Sequence, residues 1–304
     1  MKRFVNNRIK KGLIAALAAV MLCLSLGGCA SEKKTVKIAS KPMTEQFILV
    51  HMLAALIEND TDIAVELTEG VGGGTANIHP ALVKGEFDLY PEYTGTAWSY
   101  VLKKEGFPDS DTLFEELKKD YDAEYGLEWV GMYGFNNTFG LVVRKEIANQ
   151  HVIKTYSDLA PFTDTLKFGA EYDFYEREDG YDALCQAYNY HFENQVDLDI
   201  GLKYQSINSG EIDVMNVFTT DGQLSVSDVV LLEDDRHFYQ TYYCGTVVRK
   251  DTLETCPELR DVLMKMENIL TDAEMAKLNY EVEGEGKEPE DVAVAFLQSK
   301  GLIS

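Results

Sequence analysis

The spacing of apolar and polar positions changes character several times along the chain. The first eleven residues, MKRFVNNRIKK, hold two Lys/Arg clusters and no acid, and they lead into an apolar run from Leu13 to Leu26. Charge followed by a short apolar run is the order of an export signal. The run is shorter than the ~20 apolar residues of a permanent span, and it ends in LGGCA instead of a charged stop. From residue 35 the period drops to two: TVKIAS reads as a first strand. KPMTEQFILVHMLAALIEND then repeats near every fourth residue, which predicts a helix capped by Thr44 with Phe47, Leu49, Val50, Leu53, Leu56 and Ile57 on its apolar side. IAVELTEG predicts the next strand, GVGGGT (70–75) a glycine turn, and the following residues a helix from about Asn77. FDLYPEYTG predicts a strand that stops at Pro91. Strand, helix and strand in repetition imply a largely parallel sheet covered on both faces.

The middle of the chain restarts the pattern. LEWVGMYGFNNTFGLVVRKEIA supplies two apolar strands separated by an Asn-Asn turn. Helical segments are expected at 157–160 and 181–192, with a strand in LKFGAEYDF between them. GEFDLY (85–90) and GEIDVM (210–215) form an internal echo: helix end, Gly-Glu turn, short strand. If the echo is structural, two lobes each aim one strand end at a common place. After strand-like residues around 229–249, three helices are expected near 257–269, 271–282 and 288–299, with Asp272 capping the second and Pro289 opening the third. The organisation predicted is a signal at 1–28, a tether at 29–34, one lobe from 35–135 with 243–304, and a second lobe from 136–242. Two crossings between lobes make closure around a ligand the expected motion.

Small residues before Cys29 mark it as the acylated first residue of an exported lipoprotein, although an ordinary secretory signal would also explain the run. More than one acyl chain is needed for stable anchoring. Formal net charge is -23, and removing the signal takes away five Lys/Arg and no acid. An acid excess spread along the chain excludes nucleic acid and anionic lipid surfaces as partners. Cys185, Cys244 and Cys256 contain no C-x-x-C spacing and read as buried thiols, or at most one bridge.

Aromatics change the picture further: 17 Tyr and 14 Phe stand against two Trp. Tyr90, Tyr93, Phe139, Phe218, Tyr239, Tyr242 and Tyr243 fall at strand ends beside Gly, Pro, Asn and Asp, where core filler is less expected. Rigid ring faces suit a cation without strong hydrogen-bond donors, a quaternary ammonium above all, at about 0.5–2 kcal/mol per contact. GVGGGT lacks the G-K-[ST] of a phosphate loop and the dinucleotide fingerprint. It reads as a turn first and an anion-binding helix start second. Asn136 and Asn137 suit either a turn or a ligand contact. The five histidines show no zinc spacing and no G-x-S-x-G is present, so neither enzyme nor cofactor nor metal is indicated.

KPMTEQFIL (41–49), GGGTANIHPALVKGEFDLYPEYTGTAW (72–98), FNNTFGLVV (135–143), REDGYDAL (177–184) and GEIDVMNVFTTDGQL (210–224) together resemble the substrate-binding proteins of osmoprotectant ABC transporters, which take up glycine betaine, choline, carnitine and related solutes. The resemblance covers essentially the whole chain after the signal. It implies an α/β periplasmic-binding-protein fold of type II, two lobes around a ligand cleft joined by two hinge crossings. It also implies an aromatic cage of Tyr93, Phe139, Phe218 and Tyr242 for the trimethylammonium head. Gln46, Thr96 and Asn137 are its expected polar contacts. YQTYYCGT departs from the family's usual Phe-Pro-Pro-Tyr, which leaves Tyr239, Tyr242 and Tyr243 open as the last wall. Further implications are a monomeric, non-enzymatic receptor, lipid-anchored at Cys29 on the extracytoplasmic face of the cell membrane, that serves an ABC permease and its ATPase. Receptors for another small cation or an amino-acid-like solute, and a surface hydrolase, are the competing readings.

Overall fold

Ten strands among the described residues fall into two mixed sheets of five. They are β1 (Thr35–Ala39), β2 (Ala64–Thr68), β3 (Leu89–Tyr93), β4 (Leu127–Asn136), β5 (Phe139–Arg144), β6 (Lys167–Ala170), β7 (Asn194–Asp197), β8 (Val214–Phe218), β9 (Val229–Leu231) and β10 (Tyr243–Arg249). The computed structural model describes residues 33–171, 174–175, 180–198 and 202–304, so the signal, Cys29 and the first three residues of REDGYDAL lie outside the described residues. The first sheet has the order β2-β1-β3-β10-β4 and the second β7-β6-β8-β5-β9. In each, three strands run parallel and the fourth antiparallel, β10 against β3 and β5 against β8. The fold is therefore α/β and of the periplasmic-binding-protein kind expected, with a sheet in each half.

The internal echo is structural. Gly85 and Gly210 both end helices with left-handed φ, 80° and 77°, a conformation that glycine alone adopts without strain. Three residues on, Asp88 accepts from the Lys37 N–H at 2.8 Å and Asp213 from the Lys167 N–H at 3.0 Å, each tying its strand start to the parallel neighbour. A second echo, Gly140-Leu-Val-Val-Arg-Lys145 and Gly245-Thr-Val-Val-Arg-Lys250, supplies the antiparallel strand of each sheet. Arg144 and Arg249 then stand next to Gly210 and Gly85 respectively. Tyr93 and Phe218 consequently occupy matching strand ends.

Helix α1 (Thr44–Asp60) is apolar on more than one face because it is covered twice. Ile48, Leu49, Met52, Leu53, Leu56 and Ile57 pack between the strands of the first sheet and the C-terminal helices, in one core with Leu259, Met275, Leu278, Val292, Phe296 and Leu297. A separate core of Leu141, Val143, Phe168, Phe174, Tyr181, Leu184, Tyr188 and Phe192 serves the second sheet. Residues Thr35–Ser304 form one compact unit, and every apolar core is built from within it. No helix among the described residues is long and apolar enough to cross a membrane.

Four local expectations shift. Thr44 is the first helical residue behind an extended Met43 and makes no side-chain cap. Helix α2 (Thr75–Lys84) starts at Thr75, two residues before Asn77. Thr271, not Asp272, caps α3 (Asp272–Glu283), in a reciprocal box with Glu274. Finally, β3 continues through Pro91 to Tyr93: its pairing with β1 ends at Leu89, which leaves that side of the strand without a ladder where the proline has no N–H to give. The three cysteines in the described residues are unbridged thiols.

Candidate functional site

A buried carboxylate joins three of the motifs that carry the resemblance. Glu92 is fully enclosed and pairs with the Lys41 ammonium. It also accepts from Thr75 Oγ1 at 2.7 Å, Tyr90 Oη at 3.0 Å and the Tyr93 backbone N–H at 2.6 Å. KPMT, GGGT and YPEY are thereby fixed around one acid whose bonding capacity is met, the condition under which a buried charge is tolerated. The hydroxyl at the start of α2, directly after the glycine stretch, is thus spent on Glu92.

The strand end held in this way delivers Tyr93 to a cavity of about 330 Å³ between the two sheets. Its walls are Met43, Tyr93, Asn137, Thr138, Phe139, Phe218, Phe238, Tyr239, Gln240 and Tyr242. Phe139 and Phe218 are register partners on β5 and β8, and their rings stack at 4.9 Å and 24°. Tyr239 lies 5.6 Å from Phe139, and Phe238 meets Tyr239 edge-on at 4.9 Å. Tyr242 lies against the backbone at Gly95, where an added Cβ would come within 2.6 Å of its ring. Among the described residues no charged side chain lines the cavity.

Of the residues singled out from sequence, Tyr93, Phe139, Phe218, Tyr242 and Asn137 come together around this cavity. Gln46 and Thr96 do not line it. Gln46 is fully buried on the inner side of α1, with its amide nitrogen 4.0 Å from Cys244 Sγ. Thr96 sits half-buried beyond β3, past Gly95. The open choice for the last wall resolves into two rings, Tyr242 and Tyr239, while Tyr243 begins β10 opposite Asn136 and stays outside. Sequence reasoning missed Met43, Thr138, Phe238 and Gln240.

It also missed Glu45, buried directly behind the cage. Its carboxylate accepts from Tyr93 Oη at 2.5 Å, Asn137 Nδ2 at 3.1 Å and, more weakly, Asn279 Nδ2 at 3.5 Å. Burial raises the Glu45 carboxyl above its ordinary value, against the opposing pull of these donors. The same burial, with the Glu45 charge, pushes the Tyr93 hydroxyl far up, so it remains a donor. Asn279 also reaches the Thr220 carbonyl at 2.9 Å, linking α3 to the TTDG turn of the second sheet.

The two crossings between the sheets are hydrogen-bonded to each other. The Tyr242 N–H donates to Asn136 Oδ1 at 2.6 Å, the Asn137 N–H to the Tyr242 carbonyl at 3.2 Å and Thr138 Oγ1 to the Gln240 carbonyl at 2.8 Å. Asp272 accepts the Asn136 N–H at 2.7 Å, which explains why it is not spent as a cap. Within the Asn-Asn pair, Asn136 holds the crossing and Asn137 faces the cavity.

Comparison with known proteins agrees with this geometry. The family described as the substrate-binding domain of ABC-type glycine betaine transport systems matches residues 34–299. An ergothioneine transport permease/ergothioneine binding protein of Helicobacter pylori is 42% identical over 99% of this chain and 54% of its own length, so the chain spans about half of that relative. A carnitine transport binding protein of Listeria monocytogenes is 33% identical over 97% of this chain and 99% of its own. The crystal structure of a glycine betaine/carnitine/choline ABC transporter protein superposes with a TM-score of 0.84 at 31% identity, covering 88% of this chain and all of that one.

Proposed function

The chain belongs to the family of substrate-binding domains of ABC-type glycine betaine transport systems, and from that premise we propose that it is a receptor that captures a quaternary ammonium solute and hands it to an ABC permease and its ATPase. One observation carries the ligand class. Aromatic rings from both sheets converge on one cavity that no charged side chain among the described residues lines, while a buried carboxylate stands behind the Tyr93 ring. Ring faces attract an ammonium that cannot donate hydrogen bonds, and its loose hydration is cheaply lost. The walls we assign to the head are Tyr93, Phe139, Phe218, Tyr239 and Tyr242, with Asn137 as the polar contact. Residues 35–135 with 243–304 and residues 136–242 act as the closing lobes, pivoting at the bonded crossings. Acylation of Cys29 would keep the monomeric receptor on the extracytoplasmic face of the membrane.

A second solute is favoured by the Helicobacter pylori relative. Ergothioneine carries the same trimethylammonium head on its α-carbon, with a flat sulfur-bearing ring one methylene away, and Phe238 with Tyr239 extends the aromatic wall to one side of the cage. Calorimetric titration of residues 34–304, freed of copurified solute, separates these cases. Glycine betaine, choline, carnitine and ergothioneine form the panel, with proline as the control lacking a quaternary nitrogen. Binding of one or more with proline silent is the expected result. A folded protein that binds none of the four overturns the reading.

A further inference from the structure

We propose that Glu45 is a positioning residue that sets the cage's preference for a cation, acting through the hydroxyl of Tyr93; this rests on the quaternary ammonium reading above. Tyr93 meets a cation before any solute arrives. The Lys41 ammonium lies 4.6 Å from the ring centroid, and Lys41 does not line the cavity, so it stands on the far side of the ring. A charge there draws π density away from the face that must hold the solute. Glu45 opposes this. A phenol that donates to a carboxylate at 2.5 Å gains electron density in its ring, here in a buried setting where water screens little. The ring is thus tuned from two sides, with Lys41 weakening its hold on a cation and Glu45 restoring it.

The donors that favour the charged form of Glu45 come from several elements: Tyr93 on β3, Asn137 at the crossing and Asn279 on α3. The other titratable groups that face it are the Cys244 thiol on β10, and Asp221 and Glu283 in the cleft that adjoins it. Burial raises the carboxyl above its ordinary value. Protonated, it would no longer polarise the phenol, and affinity for a cation should fall as pH falls.

The test is calorimetry at pH 5 to 8 on residues 34–304, using choline and glycine betaine, neither of which titrates in that range. Wild type, Glu45→Gln, Tyr93→Phe and the double variant are compared. Affinity of the wild type should decline toward pH 5, and Glu45→Gln should bind about ten-fold more weakly at pH 8, the equivalent of one cation–π contact. Glu45→Gln should also lose the pH slope attributable to Glu45, and should cost little once Tyr93 is Phe. An equal loss in the Tyr93→Phe background, or an unchanged pH slope in Glu45→Gln, overturns the proposal. If Glu45→Gln does not fold, the pH profile of Tyr93→Phe decides: a slope as steep as wild type refutes the coupling. Failure of the wild type to bind any quaternary ammonium would instead refute the functional reading itself.

Discussion

Truncating Phe218 to Ala separates binding from folding more cleanly than any other change in the cage. Phe218 is 39% exposed and stacks on Phe139, whereas Tyr93 is 5% exposed and belongs to the main core. The stability at risk is that of one aromatic pair, about 0.5–1.5 kcal/mol. Tyr93→Ala would resemble a buried aromatic truncation, at about 3–5 kcal/mol, and would also strip Glu45 of a donor. For binding, Phe218→Ala removes one ring face, a loss of about 0.5–2 kcal/mol, or roughly 2- to 30-fold in Kd. Titration with glycine betaine, choline and carnitine gives the affinity, and urea unfolding of the same preparation gives the stability. Weaker binding with a midpoint close to wild type is expected. A Kd within about two-fold of wild type would remove Phe218 from the cage. A stability loss above about 3 kcal/mol would instead make it a core residue and void the comparison.

Gly222→Ala should weaken binding without touching the cavity, since a Cβ there would come within 2.8 Å of the Tyr280 backbone nitrogen and push the TTDG turn off α3; titration measures it, and unchanged affinity would show that this contact is dispensable for capture. Glu92→Gln should cost about 3–5 kcal/mol of unfolding free energy, because it leaves the Lys41 ammonium buried without its counter-charge. Asp272 gives a pH dependence of stability. Burial raises its carboxyl in the folded state, so the native protein binds more protons than the unfolded chain between the ordinary and the raised value. Stability therefore falls as pH rises through that window, and Asp272→Asn, followed by urea unfolding across it, should flatten that part of the profile. Cys185, whose thiol is raised to about 11 by burial, should react slowly with a thiol reagent at pH 8, and all three thiols of residues 34–304 should react once urea unfolds the protein.

Most of the architecture was legible because its signals are local. Alternation in TVKIAS, the near-fourfold period of the first helix and the two Gly-Glu turns each fix an element from residues close in sequence. Boundaries failed where a distant partner intervened. Pro91 sits inside a strand because the neighbouring ladder ends early, and Asp272 leaves its capping role because Asn136 claims its carboxylate from across the chain. Position at a strand end marked the cavity rings only in part: Tyr93, Phe139, Phe218, Tyr239 and Tyr242 line it, whereas Tyr90 is buried in a core and Tyr243 stays outside. Gln46 was assigned to the ligand from a motif, yet its side of α1 faces inward, a rotation of one helix position that the motif does not encode. Glu45, adjacent to it, was hidden among 51 acids, and only the distance to Tyr93 distinguishes it.

The arrangement around Glu92 bears on how far a family signature can speak for a solute. Lys41, Thr75, Tyr90 and Glu92 brace one another out of sight of the cavity, and of the residues gathered there only Tyr93 passes through to it. A chain can thus keep this keystone unchanged while the opposite walls, built from Phe139, Phe218 and the 238–242 segment, are rewritten for a longer or flatter guest. Shared YPEY and GGGT strings then certify the masonry, and the identity of the guest has to be read from the rings that face it.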